Sequence, residues 1–229
     1  MSTTGTFTFQ PTLGDLTLYA FNACQIRPSQ LDQQHMESAR MASNLLLSRW
    51  SSQGVNLWTV DLQTIPLVQG QATYDIPANT ITMLDTYITV GSGQAETDRI
   101  IFPISRSEYA NYPNKTQEGF PSVYWFDRLL SPTVTLYQVP DGNEVALKYY
   151  RMRQIQDAAL NSAQGLEMPV YFYEAFAMGL ARRLALIWKP EMATGLKALE
   201  DEAYEIATNQ NTEQADFYVT PMVSGYYQN

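Results

Sequence analysis

The sequence predicts an α+β fold: a helical bundle built from both chain ends, with an antiparallel β-rich insertion between the second and third helices. Three observations support this. Residues 30–53 place Met36, Ala39, Ala42, Leu46 and Trp50 at three- and four-residue steps. About a hundred residues of strand-like runs follow, broken by Gly, Pro and Asn. The helical period then returns from Val170 to Asn209. Helical stretches on both sides of a β segment must meet to share one core. The chain therefore divides into a helical bundle domain (residues 1–54 and 166–209), a β-rich domain (55–165) and a C-terminal docking arm (210–229).

The first helix is expected over Leu13–Gln25, with Thr12 as N-cap and Leu16, Ala20, Ala23 and Cys24 on one face. Pro28 breaks it. Ser29, with Asp32 three residues later, resembles a capping box that opens the second helix at Gln30. At ~1.5 Å per residue that helix spans roughly 36 Å before Gly54 ends it. Period two begins at Leu57 to Thr64, where Leu57, Thr59, Asp61 and Gln63 alternate with Trp58, Val60, Leu62 and Thr64. Further strands are expected at Ala72–Ile76, Ile81–Val90, Arg99–Ile104, Ser122–Phe126, Thr133–Val139 and Glu144–Met152. Pro140, Asp141 and Gly142 form the sharpest hairpin signal. Ser105 caps a short helix stopped by Pro113, expected to cross from one sheet edge to the next.

The third helix carries Phe172, Phe176, Gly179, Leu180, Leu184 and Ile187 as an apolar stripe, and Gly179 suggests close packing. Lys189 and Pro190 break it. The fourth helix places Met192, Leu196, Leu199, Ala203 and Ile206 on one face and Glu200, Asp201, Glu202 and Glu205 toward solvent. The final segment holds Phe217, Tyr218, Val219, Met222, Val223, Tyr226 and Tyr227 without a clear period. It is too aromatic for a solvated tail and should dock, either on its own β domain or on a neighbouring molecule.

Composition narrows the function classes. With 14 Lys and Arg against 23 Asp and Glu, the net charge of −9 disfavours tight wrapping of nucleic acid. Charged residues make up only 16% of the chain while Tyr contributes 15 residues, a balance suited either to interface cores or to aromatic cross-strand pairs. No apolar run is long enough to anchor the chain in a membrane, and Met1 to Thr8 lack the pattern of a secretory signal, so synthesis in a cytoplasm is expected.

No residue set suggests an enzyme, a metal site or a cofactor. Cys24 is the single cysteine and reads as a small buried residue; one His and one Cys cannot supply a zinc ligand set. His35 is the only histidine, expected on the exposed face of the second helix, and no serine lies in a nucleophile elbow to make a triad with it. Asp75, Asp85, Glu96, Asp98 and Asp127 could supply a carboxylate pair, but solvated loop charges account for them. Gly91, Ser92 and Gly93 lack the lysine context of a phosphate loop and read as a hairpin tip. Arg49 complements the dipole at the end of the second helix. Arg182 and Arg183 point roughly 100° apart. At least one leaves the bundle for a carboxylate, forming an intrachain or intersubunit ion pair in preference to a DNA contact.

Several strings carry a family resemblance: NLLLSRW at Asn44 to Trp50, GVNLW at Gly54 to Trp58, ISRSEY at Ile104 to Tyr109, Pro113 to Lys115, Gly119 to Pro121, Tyr124 to Arg128, Ile155 to Asp157, and MPVY at Met168 to Tyr171. Over residues 12–208 the chain resembles the head-to-tail adaptors of short-tailed phages, the packaged-DNA stabilisation and tail tubular A proteins. The resemblance implies a non-enzymatic virion component at the head-tail junction, a ring of about twelve copies below the portal protein that binds a downstream tail or nozzle protein. Packaged double-stranded DNA would pass through without sequence-specific binding. At −9 per chain, twelve copies carry −108, which suits a conduit that repels phosphate. The aromatic arm, with Phe217, Tyr218, Met222, Tyr226 and Tyr227, suits a partner interface. A tail-associated glycan-binding β module is the alternative reading.

Overall fold

The structure, a computed structural model, describes residues 3–54, 56–91, 93–159 and 164–212. It is α+β. The elements run α1 (Leu13–Ala23), α2 (Gln33–Ser51), β1 (Val60–Pro66), β2 (Thr73–Asp75), β3 (Thr80–Val90), β4 (Thr97–Ile100), β5 (Phe102–Pro103), α3 (Arg106–Asn111), β6 (Val123–Asp127), β7 (Thr133–Tyr137), β8 (Glu144–Arg153), α4 (Tyr173–Trp188) and α5 (Ala193–Gln210).

Capping chemistry sets the helix starts. Thr12 accepts from the Asp15 N–H while the Asp15 carboxylate accepts from the Thr12 N–H, so both free donors are satisfied at the start of α1. Ser105 and Glu108 do the same for α3. For α2 the expected start is corrected. Pro28–Gln30 forms a separate 3-10 turn, and Asp32, not Ser29, is the N-cap, accepting from the His35 N–H at 3.0 Å. A carboxylate is the stronger acceptor there and also faces the positive end of the helix dipole.

Helices from both chain ends share one apolar cluster. α4 is buried nearly all round, from Tyr173 through Ala185, with α1, α2 and α5 packed against it. Trp50 is the aromatic node of this cluster: its ring centroid lies 5.6 Å from Phe172, 6.3 Å from Phe176 and 5.3 Å from Tyr204. A Cβ on Gly179 would come within 2.9 Å of Leu46 Cδ2, so the close α2–α4 approach expected from the sequence requires that glycine.

The strands form two four-stranded sheets, in the orders β1-β8-β3-β4 and β2-β7-β6-β5. They bury a second cluster between them, with Ile88, Leu147 and Tyr149 from one sheet and Tyr124, Val134 and Leu136 from the other. Three strand expectations are corrected. Pro140, Asp141 and Gly142 do turn the chain, with Gly142 at φ 99°, but β7 and β8 belong to different sheets, so the turn is a crossover and not a hairpin. Turn chemistry specifies a reversal; the shared core decides which strand becomes the partner. The predicted strand Arg99–Ile104 is two strands, because the buried Ile101 carries the chain from one sheet to the other. That crossing precedes α3, which instead lies on the connection between β5 and β6. These two pair in parallel, and a parallel pair needs a long crossover.

Polar contacts brace the first sheet and tie it to the helices. Arg151, almost wholly buried in β8, binds Asp61 of β1 through Nε at 2.7 Å and Nη2 at 3.2 Å, and donates to the Asn79 and Thr80 side chains at 2.8 Å. Arg153, two residues on, makes two bonds to the Glu167 carboxylate just before α4. The Trp58 indole donates to the Glu167 carbonyl at 3.1 Å. Asn44 of α2 holds the returning chain by accepting from Ala158 N–H at 2.8 Å and donating to its carbonyl at 3.0 Å.

Candidate interaction site

The densest charge cluster lies where α2, α4 and α5 meet. α5 buries Leu196, Glu200, Ala203 and Ala207, so the expected face is rotated: Glu200 points inward, while Leu199 and Ile206 are 49% and 60% exposed. There Glu200 meets three guanidiniums. Arg182 Nη1 donates to Glu200 Oε2 at 2.7 Å, and the guanidiniums of Arg183 and Arg49 lie 3.6 and 3.9 Å from Oε1. Arg182 and Arg183 thus find their carboxylate inside the chain. Among the described residues, three guanidiniums meet one carboxylate here, an excess of two positive charges. Burial pushes the Arg183 guanidinium below its usual pKa; Glu200 opposes that shift, and Arg49 and Arg182 add to it.

Beside this cluster, a groove between α2 and α4 is lined by Glu37, Ser38, Met41, Ala42, Leu45, Arg183, Leu186 and Ile187. Met41, Leu45, Leu186 and Ile187 are each more than half exposed. Arg49 continues the α2 row one turn beyond Leu45. A second surface is the outer face of the first sheet, where Leu62 opposes Tyr150 and Ile100 opposes Tyr87. Lys148 lies between them, paired with Glu96 and Asp98.

The other candidate chemistry resolves into structure. His35 is corrected from an exposed position: its ring stacks on Trp188 at 4.1 Å, meets Phe21 edge-on, and places Nδ1 2.6 Å from the Asp32 carboxylate. The Cys24 thiol donates to the Ala181 carbonyl at 3.0 Å, and burial raises its pKa to about 11, which suppresses thiolate chemistry. Of the β-region carboxylates, Asp98 accepts from the Thr89 hydroxyl at 2.6 Å and shares Lys148 with Glu96. Among the described residues, no group of three or more His, Cys, Asp or Glu is placed to hold a metal ion, and no helix is long and apolar enough to cross a membrane. The arm residues Phe217, Tyr218, Met222, Tyr226 and Tyr227 lie outside the described residues.

Residues in or beside the strings that carry the family resemblance meet in the core: Trp50 and Trp58 each contact the Phe172 ring, and the Asn44 side chain binds the Ala158 backbone. A family model described as SU10 adaptor protein matches residues 30–224, and so spans the β segment and the helices on both sides of it. The chain belongs to the SU10 adaptor protein family. Membership accords with the resemblance to head-to-tail adaptors and makes the adaptor a structural component of a phage virion. Comparison with curated proteins finds no match. Glu200 is the residue of this cluster that the sequence placed toward solvent, and its signal was present: Leu196, Glu200, Ala203 and Ala207 themselves follow three- and four-residue steps.

Proposed function

We propose that this adaptor is the head-to-tail connector of its phage, a ring of about twelve copies seated below the portal that retains packaged DNA and presents a platform to the tail. The observation that carries this reading is the family match across residues 30–224 as one unit. On this reading the helical part (residues 1–54 and 166–209) forms a bundle that makes most ring and portal contacts. The β part (55–165), with Leu62, Tyr87, Ile100 and Tyr150 on its outer face, meets the tail. Residues 210–229 dock on a neighbour or on the portal. The net charge of −9 per chain suits a channel along which DNA slides, and the chemistry is mechanical, with no catalytic step.

The test is the mass of the purified chain alone and mixed with portal rings, by native mass spectrometry or light scattering. A stoichiometric complex with the portal is expected, whether the free chain is monomeric or ringed. A small discrete oligomer that ignores the portal would overturn the connector reading.

A further inference from the structure

Two open surfaces of the helical part are complementary. The α2–α4 groove is apolar at Met41, Leu45, Leu186 and Ile187 and cationic at one end, where Arg183 and Arg49 share the Glu200 carboxylate with Arg182. Along α5, Leu199 and Ile206 lie seven residues apart, two turns along one face, with Glu202 between them along the helix and Glu205 flanking the stripe about 100° round from Ile206, all exposed. This stripe sits roughly a quarter turn round the helix from the buried face of α5. The groove is lined by α2 and α4 alone, so the stripe does not fill it within one chain.

We propose that α5 of one copy seats Leu199 and Ile206 in the α2–α4 groove of a second copy, with Glu202 and Glu205 facing the unneutralised charge at Arg49 and Arg183. The rotation of α5 that buries Glu200 also creates the acidic, apolar stripe. It sets one carboxylate against three guanidiniums, which offsets only part of their charge, and turns two large apolar side chains to solvent. Because the two surfaces differ, the contact is head-to-tail: each copy keeps a free groove at one side and a free stripe at the other, and a rotation that closes makes a ring. A helix laid in an apolar groove is a recurrent mode of recognition, and charge at its end selects register and direction. The inference names the ring contact and rests on the connector reading.

The test is a chain carrying both Leu45→Cys and Ile206→Cys, assembled on portal rings, oxidised and run without reductant. Cys24 is fully buried and stays silent. A ladder of covalent multimers is expected from the doubly substituted chain, and none from either single substitution. Full portal occupancy with no interchain bond would overturn this contact and leave the connector reading standing; failure to join the portal at all would overturn both. A second measurement uses Leu45→Glu and Ile206→Glu chains, which retain one good surface each. Mixed and added to portal rings, they should bind in pairs that do not extend, and a mixture that loads the rings no further than either chain alone would sink the head-to-tail contact.

Discussion

Glu200 accepts a hydrogen bond from Arg182 at 2.7 Å with only 5% of its side chain in contact with solvent, on the face of α5 that also buries Leu196, Ala203 and Ala207. Glu200→Ala should therefore cost far more than a surface charge deletion. It leaves three guanidiniums close together without their carboxylate, and breaking a buried ion pair from one side costs about 3–5 kcal/mol. Urea denaturation of the variant checks this, and a double-mutant cycle with Arg182→Ala isolates the pairwise contribution.

The sheet and the helical part should loosen in acid. Arg151 holds the Asp61 carboxyl below the usual carboxylate range, and Arg153 does the same for Glu167. Both folded-state values are depressed, so their stabilisation is complete above the unfolded values near ~4. It is lost as pH falls through the folded ones. Thermal unfolding followed from pH 7 downward should show Tm falling below about pH 4. Asp61→Asn should remove part of that pH dependence.

Gly179→Val should be destabilising although it removes a helix-weakening glycine. The first added carbon already meets Leu46 Cδ2 at 2.9 Å and Glu200 Oε1 at 3.3 Å. Overpacking of this kind costs roughly 1–3 kcal/mol. Because the contact joins α2 to α4, the midpoint of chemical unfolding should fall without a change in slope.

Asn44→Ala should loosen the chain around Ala158 from α2, while Ile155 stays held by its N–H to the Ser51 hydroxyl. It removes two bonds to the Ala158 backbone, leaving a nearly buried N–H and carbonyl to find other partners, at about 1–3 kcal/mol. Hydrogen exchange at Ala158 reads this directly: faster exchange there, with the β8 amides unchanged, is the expected pattern.

Truncation after Asn211 tests the proposed docking role of the arm. The Asn211 side chain still accepts from the Leu57 N–H, so the described fold should keep its thermal midpoint. Binding to portal rings should weaken, and normal binding by the truncated chain would rule out the arm as a docking element.

Much of the fold was legible in the sequence because local chemistry determines it. Thr12 and Ser105 announce their helices through reciprocal caps, Gly179 announces a close helix crossing, and the switch from three- and four-residue steps to alternation marks the β segment. The family-bearing strings around Trp50, Trp58 and Met168 were visible because short, locally ordered segments hold the packing nodes.

Only the tertiary structure decided the rest, because it depends on residues far apart in the chain. The turn at Asp141 and Gly142 is local, but its identity as a crossover depends on a core that both sheets share. His35 reads as exposed until Trp188, more than 150 residues away, stacks on it. Glu200 reads as solvated until Arg182 and Arg183 of the preceding helix make the interior the better place for its charge. Periodicity determines that α5 has a buried face; packing and ion pairs with distant helices decide which residues occupy it, and therefore which apolar side chains remain for a partner.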